Sequence, residues 1–216
     1  MSRREYNKTI TPPTILPSEY RQLQYIESTG SQWIDTGIKL NPQIEWYLDV
    51  QWLEFNTLNS FGAENWQTPG AIIRITNDNR NNPAAGIHEI YGINVVYGDA
   101  VSGRYIHHNT YNLSTERTTF LVKNGHQFIN DIEVSQAVMT ITEQYRSVLY
   151  FAERVNNTID YYCKRTRHYY SYFKENNVTI REFIPALRLS DNKPGLYDTI
   201  NNQFYTNAGS GEFSYA

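Results

Sequence analysis

From Leu23 onward, hydrophobic and polar residues alternate with a period of two, the spacing that places successive side chains on opposite faces of a strand. The stretch EWYLDVQWLE is the clearest case: Trp46, Leu48, Val50 and Trp52 fall on one face, and Glu45, Asp49 and Gln51 on the other. This predicts a strand with one side on a core and one side in water. TTFLVKNGHQFINDIEV predicts a hairpin, because Asn124-Gly125 supplies the two positive-φ residues of a type I′ turn. In that hairpin Phe128, Ile132 and Val134 are expected to share a face, with Asn130 as the odd member. Further strands are predicted at Ala71–Thr76, Ile93–Tyr97, Arg104–His108, Val148–Phe151, Arg165–Lys174 and Ile180–Pro185. The turn-rich clusters NDNRNNP, GDAVSG, ERVNN, KENN and SDNKPG separate them. Only SQAVMTITEQYR allows a helical turn or two. Many short strands at this spacing predict a sandwich or a barrel.

Composition strengthens the β reading. The chain has 216 residues, 40% of them hydrophobic, enough for one core and too few for two comfortable domains. Its 18 Tyr and 4 Trp against 2 Met favour pleated surfaces. A net charge of -3 provides no basic field for nucleic acid, and no apolar run is long enough to span a bilayer. The basic run KRTRHYY mixes cations with stacking rings, as single-stranded nucleic acid would require. An exposed strand with alternating Arg accounts for it more simply. With one cysteine, Cys163, no intramolecular disulfide forms, and the residue reads as a packed thiol; a catalytic role with nearby His168 has only their closeness in sequence behind it. No apolar run follows the basic start, so no signal peptide is expected and the protein is expected to be made in a cytoplasm.

Residues 1–17 form a distinct segment ahead of a sandwich at 18–216. They start basic and contain Pro12, Pro13 and Pro17. Their aliphatic content is too small for independent folding. One reading is a disordered tail. The other, preferred here, is a docking arm that uses Arg3, Arg4, Tyr6, Lys8, Ile10 and Ile15 against a partner.

Two blocks at the ends of the chain carry a family signature. LPSEYRQLQYIESTGSQWIDTGIKLNP begins the sandwich, and TIREFIPALRLSDNKPGLYDTINNQFYTNAGSGEF ends it. Together they resemble the LamG-like, concanavalin A-like proteins of bacteriophages and gut bacterial surfaces. The match runs through Tyr25–Gly30, Gln32, Ile34–Gly37, Phe183, Pro185, Gly195–Asp198 and Phe204–Phe213. Trp33 stands for the usual Tyr and Glu182 for the usual Asp. The resemblance implies an all-β, two-sheet antiparallel β-sandwich of the concanavalin A-like jelly-roll type. It also implies that the two end blocks meet in space. Glu27, Ser28 and Asp35 then read as turn-capping hydrogen-bonders, not as a site.

Three functions suit such a sandwich. A glycoside hydrolase needs two carboxylates facing each other across a cleft. The nearest pair is Asp131 and Glu133, placed by their spacing on one strand face, with Asn130 where a first acid should stand. They read instead as the wet side of a hairpin. A carbohydrate-binding module would use Trp66 and Asn65 in the loop ENWQTPG, with Asn77, Asp78 and Arg80 in NDNRNNP reading hydroxyls. Trp66 serves equally well as a cap on the core edge. Asp78 with Asn77, Asn79 and Asn81 offers too few carboxylates for tight Ca²⁺ binding, and His107-His108 point to opposite strand faces, so no metal and no cofactor are expected. The third function, a non-enzymatic phage virion part, fits best: a capsid decoration or head-fibre module, with a tail-associated receptor-binding module as the alternative. Its expected partners are other virion proteins through the arm, further copies of itself and host surface polysaccharide, with no nucleic acid and no membrane.

Overall fold

The computed structural model describes residues 16–39, 41–54, 58–64, 71–78, 92–99, 106–107, 115–136, 146–160 and 162–216. These build two packed β-sheets, and no helix occurs among them. Numbered in chain order, the larger sheet holds β1 (Tyr20–Gln22), β2 (Ile26–Thr29), β4 (Ile44–Trp52), β9 (Thr118–Lys123), β10 (His126–Ile129), β11 (Ile132–Gln136), β15 (Lys164–Glu175), β16 (Val178–Arg188), β17 (Lys193–Asp198), β18 (Gln203–Thr206) and β19 (Ser214–Tyr215). The smaller holds β3 (Ile34–Lys39), β5 (Leu58–Glu64), β6 (Ala71–Asp78), β7 (Gly92–Asp99), β8 (Ile106–His107), β12 (Ser147–Tyr150), β13 (Glu153–Val155) and β14 (Thr158–Asp160). The pairing is antiparallel except for β13 against β5, which is parallel. The candidate helical turn at 135–146 falls mostly outside the described residues.

β4 forms the floor of the core as its alternation predicts. Trp46, Leu48, Val50 and Trp52 are all fully buried. Trp46 stacks on Phe173 of β15 at 5.7 Å, and the edge of Trp52 meets Phe61 of β5 at 6.2 Å, joining the sheets. The opposite face departs from expectation. Glu45 and Asp49 are only 7% and 4% exposed although they point away from the core.

The Asn124-Gly125 turn is present, with φ of 51° and 79°. A second turn follows at once, since Asn130 and Asp131 also have positive φ, 50° and 63°. The predicted hairpin is therefore a three-strand meander, β9-β10-β11. The extra turn breaks the count of alternating positions. Ile129 pairs with Ile132, and Val134 packs against the core, whereas Phe128 pairs with Glu133 on the outer face.

Candidate interaction face

The opening motif is a structural lock. The Gln32 side chain, 1% exposed, turns its Oε1 back into the Ser-Thr-Gly-Ser turn. There it accepts from the amides of Thr29 at 2.8 Å, Gly30 at 3.2 Å and Ser31 at 3.3 Å. Ser28 Oγ donates to the Cys163 carbonyl at 2.7 Å, and Asp35 caps the Gly37 amide at 2.9 Å. The closing block completes the lock. Asn207 Oδ1 accepts from the amides of Trp33 and Gly209, and Ser31 Oγ donates to the Ser210 carbonyl. Gly209 lies so close that a Cβ there would sit 2.0 Å from the Ser31 carbonyl oxygen. Removing the Gln32 acceptor orphans three amides, each worth about 1 kcal/mol or more. Gln32→Ala is therefore expected to cost about 2–4 kcal/mol in urea unfolding. Gln32→Glu keeps the acceptor but loses the donation to Thr29 Oγ1 and places a carboxylate at a buried site, so it should recover only part of that.

Glu27 is not a turn cap. It points to the outer face of the larger sheet, where Arg167 Nε donates to it at 2.8 Å. This face is the main chemical feature of the described residues. One row of cross-strand register partners crosses six strands: Glu182 of β16, Tyr172 of β15, Tyr47 of β4, Leu121 of β9, Phe128 of β10 and Glu133 of β11. The four central side chains are half-buried. Beside this row, Lys123 and Lys174 share the Glu45 carboxylate at 2.8 and 3.6 Å. On its other side Arg117 makes a bidentate pair with Asp49, at 2.7 and 2.6 Å.

A bulge in β15 enriches the face. The register against β4 slips between His168 and Tyr170, so consecutive Tyr169 and Tyr170 both turn outward while His168 stays inside. The Tyr169, Tyr170 and Tyr172 hydroxyls donate to Gln51, Glu182 and Glu45 at 2.7, 2.6 and 2.8 Å. Burial comes first among the causes that raise the pKa of Tyr47, Tyr170 and Tyr172, so these hydroxyls remain protonated donors. Burial likewise raises the Asp49 carboxyl in spite of Arg117. For Glu45, burial is outweighed by the hydrogen bonds from Lys123 and Tyr172 and by the charge of Lys174, and the pKa is lowered.

The ring faces are largely taken. Tyr47 and Tyr172 stack at 5.1 Å and 6° on each other, and Lys174 lies over Tyr172 at 4.4 Å. Arg117 covers Tyr169 at 3.9 Å, and Arg167 covers Tyr25 at 4.2 Å. The result is a rigid, cross-braced surface that presents ring edges, hydroxyls and compensated charge.

The sequence-predicted sites fare differently. Asn77 and Asp78 are not in a loop; they end strand β6, paired with Ile93 and Gly92. The predicted partners Trp66, Asn65 and Arg80 lie outside the described residues, as do Asn79, Asn81 and the arm positions Arg3, Arg4, Tyr6, Lys8, Ile10 and Ile15. Among the described residues no group of three or more His, Cys, Asp or Glu side chains could hold a metal ion. Asp131 and Glu133 do not share a strand face, because Asp131 sits in the turn while Glu133 meets His126 Nδ1 at 2.7 Å. KRTRHYY lies in the central strand β15, flanked by β4 and β2; its Lys164 and Arg165 are exposed and Arg167 half-exposed, whereas His168, Tyr169 and Tyr170 are buried. Cys163 is buried, as a packed thiol should be. His168 is also buried, with Nε2 2.9 Å from Ser171 Oγ. No family model matches the chain, and no curated protein or solved structure matches it.

Proposed function

We propose that this chain is a non-enzymatic structural protein of a bacteriophage particle, a capsid-attached decoration or head-fibre module. The observation that carries the reading is the state of the outer-face acids. Glu27, Glu45, Asp49 and Glu133 are each held by a cation or an imidazole, and Glu182 accepts from the hydroxyls of Tyr170 and Thr199. Carboxylates braced in this way stiffen a contact surface; they are poorly placed to pass protons to a substrate. The end blocks that resemble phage sandwich proteins support the virion setting, and the basic, proline-bearing residues 1–17 support attachment through an arm. Host glycan contact through Trp66 and its sequence neighbours belongs to the same proposal.

The test is incorporation. Deleting residues 2–15 is expected to leave a folded sandwich with an unchanged melting profile that is missing from purified particles. Full incorporation of the truncated chain overturns attachment by the arm. Absence of the intact chain from purified particles overturns the virion reading itself.

A further inference from the structure

We infer that the outer face of the larger sheet is a self-docking surface, on which a second copy of this chain packs. The inference rests on the reading of the protein as a contact-making structural part. Three observations select this occupant.

The first is the state of the rings. Carbohydrate recognition by stacking needs open ring faces, and here Tyr172, Tyr169 and Tyr25 have theirs covered by Lys174, Arg117 and Arg167. What remains outward is the half-buried Tyr47, Tyr172, Leu121 and Phe128 with the braced Arg117 and Arg167, and Tyr and Arg are enriched among the residues that dominate interface energies. Because hydrogen bonds and ion pairs already fix these side chains, little rotamer freedom is lost on docking.

The second is charge. The face holds Arg117, Lys123, Arg165, Arg167 and Lys174 against Glu27, Glu45, Asp49, Glu133 and Glu182. A face of one sign would repel its own copy, whereas on this one cations and carboxylates are interleaved. It offers no surplus that would select a polyanion or a strongly basic partner.

The third is size. From β16 to β11 the row crosses five strand spacings, roughly 24 Å, and Glu45 to Gln51 runs roughly 20 Å along β4. Two such faces together remove about 1,000 Å² from water, near the lower limit for a specific interface. A weak, concentration-dependent dimer is the expected outcome.

Sedimentation of the full chain over a range of concentrations tests this. A monomer–dimer equilibrium is expected, and Phe128→Asp should weaken it at least tenfold with an unchanged circular dichroism spectrum. Should that variant fail to fold, the intact protein still decides. When isotope-labelled and unlabelled chains are mixed and treated with a lysine-reactive cross-linker, mixed-isotope links are expected at Lys123 and Lys174. A monomer at every concentration overturns the inference, as does a dimer linked only through other lysines or one that a folded Phe128→Asp variant retains. Such failure leaves particle incorporation unaffected, so the two proposals fall separately.

Discussion

Replacing Arg74 with Met is expected to destabilise the fold by about 3–5 kcal/mol, read as a large drop in the urea midpoint at constant slope. Arg74 of β6 is 7% exposed and Glu153 of β13 is fully buried. Their Nη1 and Oε1 lie 3.4 Å apart. The register explains how they meet. Both pair with Gly62 of β5, from opposite sides, and a glycine between them leaves the space that two long side chains need. Removing the guanidinium leaves a carboxylate in the interior without its counter-charge, and that uncompensated charge is the origin of the cost. The double variant Arg74→Met/Glu153→Leu is then expected to regain most of the loss, because burying the pair was itself expensive. A single variant within 1 kcal/mol of the parent would mean that water reaches Glu153.

Nothing in the alternation of residues announces that pair. Arg74 lies in a run of β-type residues and reads as a polar outward position, and its partner is 79 residues away. The same division runs through the whole molecule. What depends on local pattern was legible: the Trp face of β4, the Asn124-Gly125 turn and the extents of β6, β12 and β15. The joining of the end blocks was legible only by resemblance, and Gly209 against Ser31 shows its physical basis, since no side chain fits there. What depends on register was hidden. Counting by twos through Asn130-Asp131 carried Phe128 to the wrong side, because that dipeptide is itself a turn. The bulge that turns both Tyr169 and Tyr170 outward leaves no mark in composition. The outer-face row therefore could not be assembled from the sequence. Asp49 and Glu45 were placed on the correct face but in the wrong medium, since the cations that shelter them come from β9 and β15 and from the residue preceding β9.

Acid is expected to weaken the protein as the pH falls below 6.5, and His168 is the reason. The imidazole is fully buried in the sandwich, beside Tyr150 at 5.1 Å and Phe151 at 6.2 Å between ring centres. Burial, with the charge of Arg117 adding to it, pushes its pKa down to about 3 from 6.5. The folded state thus holds His168 neutral where the unfolded chain would protonate it. Stability from this group is fully present above pH 6.5 and is lost as the pH falls from there towards 3. Each pH unit in that window removes about 1.4 kcal/mol, so about 2 kcal/mol should disappear between pH 6.5 and 5. Glu45, with its lowered pKa, loses its own contribution only at lower pH, and Asp49, with its raised pKa, acts in the opposite sense. Urea unfolding at half-unit steps of pH should show the decline. In His168→Gln, which keeps a polar group near Ser171, the slope between pH 6.5 and 5 should nearly vanish even if the variant is less stable throughout. An unchanged slope in the variant would show that another group titrates in this range and that His168 remains accessible to protons in the folded state.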